Sequence, residues 1–135
     1  MAGRLQGKIA IVTGAGQGIG EATARCLARE GAAVVVAELN PGTGEAVAAS
    51  LSEQGFRAAM VQTDVTDAAS VAAMVDRTVE TFGVPSILVN NAGINVFRDP
   101  LAMTDEDWRR CFAARCSRCA WRGCCGGMAR WRWRR

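Results

Sequence analysis

The chain of 135 residues contains no histidine and no tyrosine, and its single lysine is at position 8. For this chain acting alone, these absences exclude catalysis by histidine, histidine ligands to a metal and a tyrosine proton donor. No apolar run approaches the roughly 18 residues that a membrane-spanning helix needs. The first residues are too polar for a secretory signal, so the sequence predicts a cytoplasmic protein with reduced cysteines.

Charge is distributed unevenly along the chain. Residues 1–113 contain all 13 acidic residues and nine basic ones, whereas residues 114–135 contain seven arginines and no acidic residue. The second segment also has four cysteines and three tryptophans but no valine, isoleucine or leucine, so it lacks an amphipathic pattern. We therefore predict a domain over 1–113 and a tail over 114–135 that is disordered or read from a shifted frame.

Short apolar runs alternate with alanine-rich helical stretches through the first segment. This pattern predicts four strands and four helices: strands at 9–13, 33–38, 57–62 and 86–90, helices at 18–30, 43–54 and 67–82, and a fourth helix capped by Thr104 that runs through Trp108 and Phe112. Such βα alternation favours an α/β fold with a parallel, doubly wound, Rossmann-like sheet in the order 3-2-1-4. Cys26 lies in the first helical pattern and is expected to be buried there.

A glycine-rich turn joins the first strand to the first helix. It reads Thr13-Gly14-Ala15-Gly16-Gln17-Gly18-Ile19-Gly20, a T-G-x-x-x-G-x-G spacing. Glycines allow positive φ angles and close approach of a ligand, and a helix N-terminus offers free N–H groups to a pyrophosphate. The alternative is a glycine turn that binds nothing.

Two acidic residues follow neighbouring strands. Glu38 ends the second strand, where a carboxylate can accept hydrogen bonds from the 2′-hydroxyl of a ribose. Asp64 follows the third strand, where the amino group of an adenine would pass. Each of them could equally be an ordinary acidic residue at a strand end or a turn.

Taken together, the glycine turn, Asp64-Val65 and Asn90-Asn91-Ala92-Gly93 resemble the short-chain dehydrogenase/reductase family over about residues 5–113. The resemblance implies an NAD(P)-dependent oxidoreductase that transfers hydride between the cofactor and an alcohol or carbonyl group. It also implies a set of cofactor-binding residues. The loop residues Gly14, Gly18, Ile19 and Gly20 would wrap the pyrophosphate, Glu38 would hold the adenosine ribose, Asp64 and Val65 would contact adenine, and Asn90, Ala92 and Gly93 would lie towards nicotinamide. The set also includes the loop residues Gly16 and Gln17. Both asparagines are also common turn residues.

The resemblance stops near Ala113. The family's catalytic asparagine on the fourth helix, its serine on a fifth strand and its Tyr-x-x-x-Lys pair have no counterpart, and Ala114-Arg115-Cys116 stands where a Val-Asn-Leu-like continuation is expected. We therefore assign no catalytic residue and predict a truncated cofactor-binding half without activity. A small-molecule substrate and the homo-oligomeric assembly usual in the family are expected only of a full-length form.

NAD is predicted in preference to NADP, because Glu38 would repel a 2′-phosphate and neither Gln17 nor Leu39 is basic. Two alternatives remain: a non-catalytic nucleotide-binding module, and a nucleic-acid-binding protein that uses the arginines and tryptophans of 131–135. Specific nucleic-acid recognition is not expected. A zinc site is not expected either, because its four candidate thiolates are badly spaced; they are Cys116, Cys119, Cys124 and Cys125.

Overall fold

A computed structural model describes residues 3–94 and 97–115. Its centre is a parallel four-stranded sheet in the order β3-β2-β1-β4, which confirms the predicted Rossmann-like topology. The strands are β1 (Ile9–Thr13), β2 (Ala33–Glu38), β3 (Ala58–Gln62) and β4 (Ile87–Val89). The first two strands have the predicted bounds, whereas β3 and β4 are shorter than predicted.

Four α-helices accompany the sheet in the described residues, with a short 3₁₀ helix at Pro100–Ala102. They are α1 (Gly18–Arg29), α2 (Pro41–Glu53), α3 (Ala68–Thr81) and α4 (Asp105–Arg115). The prediction that α2 begins at Thr43 was wrong. Asn40 caps the helix by accepting a hydrogen bond from the Gly42 N–H, and Pro41 is compatible with a first turn that needs no N–H of its own.

Helices cover both faces of the sheet. On one face, Val12 and Val36 pack in a core with alanines of α1 and with Val47 and Leu51 of α2. On the other face, Ile11 and Val35 pack against Val71 and Met74 of α3. Because β1 and β2 are buried on both sides, they are continuous apolar runs rather than alternating ones.

The expectation that Cys26 is buried was wrong, because its side chain is exposed. The buried stripe of α1 runs through Gly20, Ala24 and Ala28 at a spacing of four residues. A residue two positions from Ala24 points to the opposite side of the helix, so Cys26 faces away from the sheet.

The fourth helix begins with a capping box. The hydroxyl of Thr104 accepts a hydrogen bond from the Asp107 N–H at 3.2 Å, while the Asp107 carboxylate accepts from the Thr104 N–H at 3.0 Å. The bond from the Thr104 N–H, a second bond that the Thr104 hydroxyl donates to the same carboxylate at 2.8 Å, and Arg98 at 3.3 Å together hold the pKa of Asp107 below its usual range. The helix continues to Arg115, two residues beyond the domain boundary predicted at Ala113.

Candidate functional site

A cleft of about 900 Å³ opens at the carboxyl ends of the strands. This is where parallel α/β sheets bind ligands, and the volume lies within the range of small-molecule sites. The cleft is lined by the glycine loop, the ends of β2 and β3, the segment after β4, and α4; the residues are Gly14, Gln17, Gly18, Ile19, Glu38, Leu39, Thr63, Asp64, Val65, Thr66, Asn91, Ala92, Gly93, Ile94, Glu106, Arg109, Arg110, Ala113 and Ala114.

The glycine loop has a conformation that requires glycine at two positions. Gly14 and Gly18 have φ angles of 63° and 58°, in the left-handed region. A Cβ on Gly14 would also lie 2.9 Å from the Cα of Ala92, whereas the space above Gly18 is open. Because the first N–H groups of α1 have no partners within the helix, the loop presents donors on an open surface, as an anionic ligand requires.

A buried hydroxyl joins the loop to the segment after β4. Thr13 is 2% exposed, and its Oγ1 accepts hydrogen bonds from the N–H groups of Asn91 and Ala92, both at 3.1 Å. The side-chain amide of Asn91 donates in return to the carbonyl oxygens of Thr13 and Gly14, also at 3.1 Å. Two sequence segments 78 residues apart are thereby fixed at the floor of the cleft.

Glu38 stands at the end of β2 with both carboxylate oxygens occupied. Oε2 accepts a hydrogen bond from the Gly16 N–H at 2.9 Å. Oε1 accepts from the N–H groups of Leu39 at 2.9 Å and Asn40 at 3.3 Å. Glu38 therefore contacts the loop as well as the turn before α2.

Asp64 lies beyond the end of β3, held by its own turn. Its Oδ1 accepts hydrogen bonds from the side chain of Thr66 at 2.7 Å and from the Thr66 N–H at 2.9 Å. These bonds lower the pKa of Asp64 below its ordinary value, so the carboxylate is charged at neutral pH. No bond within the described residues uses Oδ2, which can accept from a ligand.

The fourth helix forms the wall opposite the strands. Its cleft-facing residues follow a helical spacing, with Glu106, Arg109 and Arg110 in one turn and two alanines in the next. Arg109 Nη1 lies 3.9 Å from Glu106 Oε2 on the exposed surface. Sequence reasoning missed this wall, although the repeat of residues three and four positions apart was the available signal.

Most of the predicted cofactor-binding residues line the cleft, but three do not. Gly16 donates its N–H to the Glu38 carboxylate, and Gly20 packs against the Gly14 carbonyl. Asn90 is exposed and outside the lining, whereas Asn91, to which no cofactor role was given, lies in it. The structure thus assigns the bridging position to the second asparagine of the pair.

Residues 3–94 and 97–115 contain neither a cluster of metal ligands nor a membrane-spanning helix. No group of three or more acidic or cysteine side chains is placed to hold a metal ion there. Nor does that part of the chain contain a helix with the length and hydropathy to span a bilayer. The zinc and nucleic-acid interpretations of the tail concern side chains outside the described residues.

Comparison with known proteins decides the family. The family model for short chain dehydrogenases matches residues 8–117. The chain belongs to the short-chain dehydrogenase family. Among its relatives, the short chain dehydrogenase/reductase astE of Aspergillus oryzae is 53% identical over 108 residues, covering 78% of this chain and 41% of that protein. The cis-4-hydroxycyclohexanecarboxylate dehydrogenase of Sinomonas cyclohexanicum is 50% identical over 104 residues, covering 76% of this chain and 41% of the relative.

Solved structures of short-chain dehydrogenases agree with the fold. A hydroxysteroid dehydrogenase from Escherichia coli superposes with a TM-score of 0.81 at 34% identity, covering 90% of this chain and 51% of that one. A 7α-hydroxysteroid dehydrogenase solved with NADH and 7-oxo glycochenodeoxycholic acid gives a TM-score of 0.77 at 37% identity, covering 82% and 43% of the two chains. This short-chain dehydrogenase sequence therefore spans about half or less of the proteins that it resembles.

Proposed function

We propose that the cleft binds the adenosine diphosphate part of NAD, in a protein whose family transfers hydride between NAD(P) and alcohol or carbonyl groups. The observation that carries this proposal is the convergence of three chemically different surfaces in one cleft. The glycine loop offers N–H donors to a pyrophosphate, and Glu38 and Asp64 offer charged acceptors to a ribose and an adenine. The short segment 91–93 borders the remaining side.

NAD is the proposed cofactor rather than NADP. Glu38 is charged at the position expected for the 2′-substituent, and Gln17 and Leu39, the neighbouring cleft residues, carry no positive charge. A 2′-phosphate would meet a like charge without a compensating cation from these residues. Titrating the chain with NAD, NADP and ADP by calorimetry tests the proposal. We expect NAD and ADP to bind more tightly than NADP, and tighter binding of NADP would contradict it.

Catalysis by these 135 residues is not part of the proposal. Reduction of a carbonyl by hydride places negative charge on its oxygen, which takes up a proton to give the alcohol. The sequence has neither tyrosine nor histidine to supply that proton. The carboxylates of Glu38 and Asp64 are assigned to the adenosine end. We therefore propose that the chain binds the cofactor without turning it over.

A non-catalytic nucleotide-binding module is the second candidate, favoured by the same absence of a proton donor. The gene separates the two candidates. A serine-bearing strand and a Tyr-x-x-x-Lys helix in another reading frame beyond codon 113 would support a dehydrogenase half, and their absence would support a module. The cytoplasmic location and the oligomeric assembly of a full-length form stay predictions.

A further inference from the structure

The side chain of Glu38 connects two segments that border the cleft. Its Oε2 binds the Gly16 N–H in the middle of the glycine loop at 2.9 Å, and its Oε1 binds the N–H groups of Leu39 and Asn40 in the turn after β2. A carboxylate has about four acceptor positions, so three are used within the protein and about one is left for a ligand.

The packing around Glu38 fixes the orientation of its side chain. A Cβ on Gly16 would lie 2.8 Å from Glu38 Cγ and 2.6 Å from Thr43 Oγ1. A Cβ on Gly44 of α2 would lie 3.0 Å from Glu38 Cβ. The Glu38 side chain therefore passes close to two glycines whose missing side chains allow this approach, Gly44 beside its Cβ and Gly16 beside its Cγ and carboxylate. The contact with the loop depends on the length of the glutamate side chain.

We propose that Glu38 is a positioning residue for the glycine loop and strengthens pyrophosphate binding through Gly16, separately from any contact with a ribose. This inference rests on the proposed function. Gly14 and Gly18 have φ angles in the left-handed region. Because glycine has no Cβ, the backbone at these two positions has more freedom than at other residues. A charge-assisted bond to Gly16, between them, restricts that freedom before a ligand arrives, so less entropy is lost on binding.

The bond also divides the N–H groups of the loop between two acceptors. Because Gly16 donates to Glu38, its N–H is not the donor for a bound phosphate. The donors left for a phosphate are the first N–H groups of α1, at Gly18, Ile19 and Gly20, which have no partners within the helix. Glu38 therefore does not compete with a bound phosphate for these groups.

The experiment separates this role from ribose binding with two ligands. ADP carries the ribose hydroxyls, whereas 2′,3′-dideoxyadenosine 5′-diphosphate lacks them but keeps the same pyrophosphate. If Glu38 acts only on the ribose, Glu38→Ala weakens ADP alone. If Glu38 positions the loop, Glu38→Ala weakens both ligands, the dideoxy compound by roughly tenfold, the size expected when the backbone of about one loop residue must be ordered on binding.

Two further variants complete the design. Glu38→Gln keeps one acceptor oxygen at nearly the same reach, so it should recover part of the lost affinity for the dideoxy ligand. Glu45→Ala removes an exposed charge from α2 that has no hydrogen bond or ion pair with the described residues, and it should change neither affinity. Amide hydrogen exchange, resolved to single residues by mass spectrometry, reports on the loop in the absence of any ligand.

We expect Glu38→Ala to speed exchange at Gly16 while Gly14, whose N–H donates to the Ala37 carbonyl at 2.8 Å, keeps its protection. Unchanged exchange at Gly16, or a loss of affinity confined to ADP, would overturn the inference and leave the proposed function intact. Failure of the parent chain to bind ADP would instead refute the proposed function, and exchange at Gly16 would still decide whether Glu38 holds the loop.

Discussion

Replacing Thr13 by valine tests whether the hydroxyl at the end of β1 holds the cleft together. The two side chains have almost the same shape, so the substitution removes the hydrogen bonds and little packing. Asn91 and Ala92 would each keep an N–H that had bonded to Thr13 Oγ1 at 3.1 Å. An unsatisfied donor costs about 1–3 kcal/mol, and both residues are half-buried, so we expect a loss of about 2–4 kcal/mol.

Urea unfolding followed by circular dichroism measures this loss. With a slope of about 1–2 kcal/mol per molar urea, the midpoint should fall by about 1 M or more. The matched control is Thr81→Val, because the hydroxyl of Thr81 is exposed and donates only to the Arg77 carbonyl within α3. Its effect should stay within about 0.5 kcal/mol.

A double-mutant cycle sharpens the same prediction. Asn91→Ala removes the two bonds that the side-chain amide donates to the carbonyls of Thr13 and Gly14. Both substitutions remove hydrogen bonds between the end of β1 and the segment after β4. Their effects on the free energy of unfolding should therefore couple by at least about 0.5 kcal/mol. Additive effects, or a Thr13→Val midpoint equal to that of the Thr81→Val control, would refute the reasoning.

Gly20→Ala should abolish ADP binding at concentrations that saturate the parent chain, because the new Cβ would overlap the Gly14 carbonyl; calorimetry measures this. Thr66→Val should raise the pKa of Asp64 towards its ordinary value of 3.8. The substitution removes the hydrogen bond from the Thr66 hydroxyl, which lowers this pKa more than the bond from the Thr66 N–H does. Stabilisation by the Asp64 carboxylate is present above that ordinary value and is lost as the pH falls through the lowered pKa, which a carboxyl NMR titration follows. The 135-residue chain should neither form nor consume NADH with a panel of alcohols and ketones, measured at 340 nm over long incubations.

A specific result would contradict each of these three predictions. Binding of ADP by Gly20→Ala would show that the loop can move away from the Gly14 carbonyl. An Asp64 titration that Thr66→Val leaves unchanged would show that the backbone N–H alone sets the pKa. Turnover of NADH that disappears in Gly14→Trp, a substitution that should block the pyrophosphate position, would show that these residues catalyse after all.

Much of the fold could be predicted because its main signals are local. The apolar run of β1 and the glycines that end the helices depend only on neighbouring residues, and the handedness of crossovers then favours the strand order. Glu38 could be placed at the cleft because it ends β2, and the carboxyl ends of parallel strands meet there. The helix start at Pro41 was missed because an Asn-Pro-Gly sequence is typical of turns as well as of helix N-termini.

The bonds inside the site could not be predicted, because they join residues that are distant in the sequence. Nothing near Asn91 indicates that its amide would reach Thr13, and its neighbour Asn90 offered the same chemistry one position earlier. The bond from Gly16 to Glu38 likewise depends on how close the loop comes to the end of β2. The position of Cys26 differs from these, since helical geometry alone places it opposite Ala24.

The register of β2 limits which changes in chain length the protein can accept. Glu38 pairs with Gln62 on β3, while Ala37 pairs with Thr13 on β1. Side chains alternate between the two faces of a strand, so inserting or deleting one residue within 33–38 would exchange the positions of Glu38 and its neighbours. Natural sequences with this fold should therefore vary in length at 54–57 and 82–86, where the chain turns between elements. They should keep six residues in β2 even where the identities of those residues change.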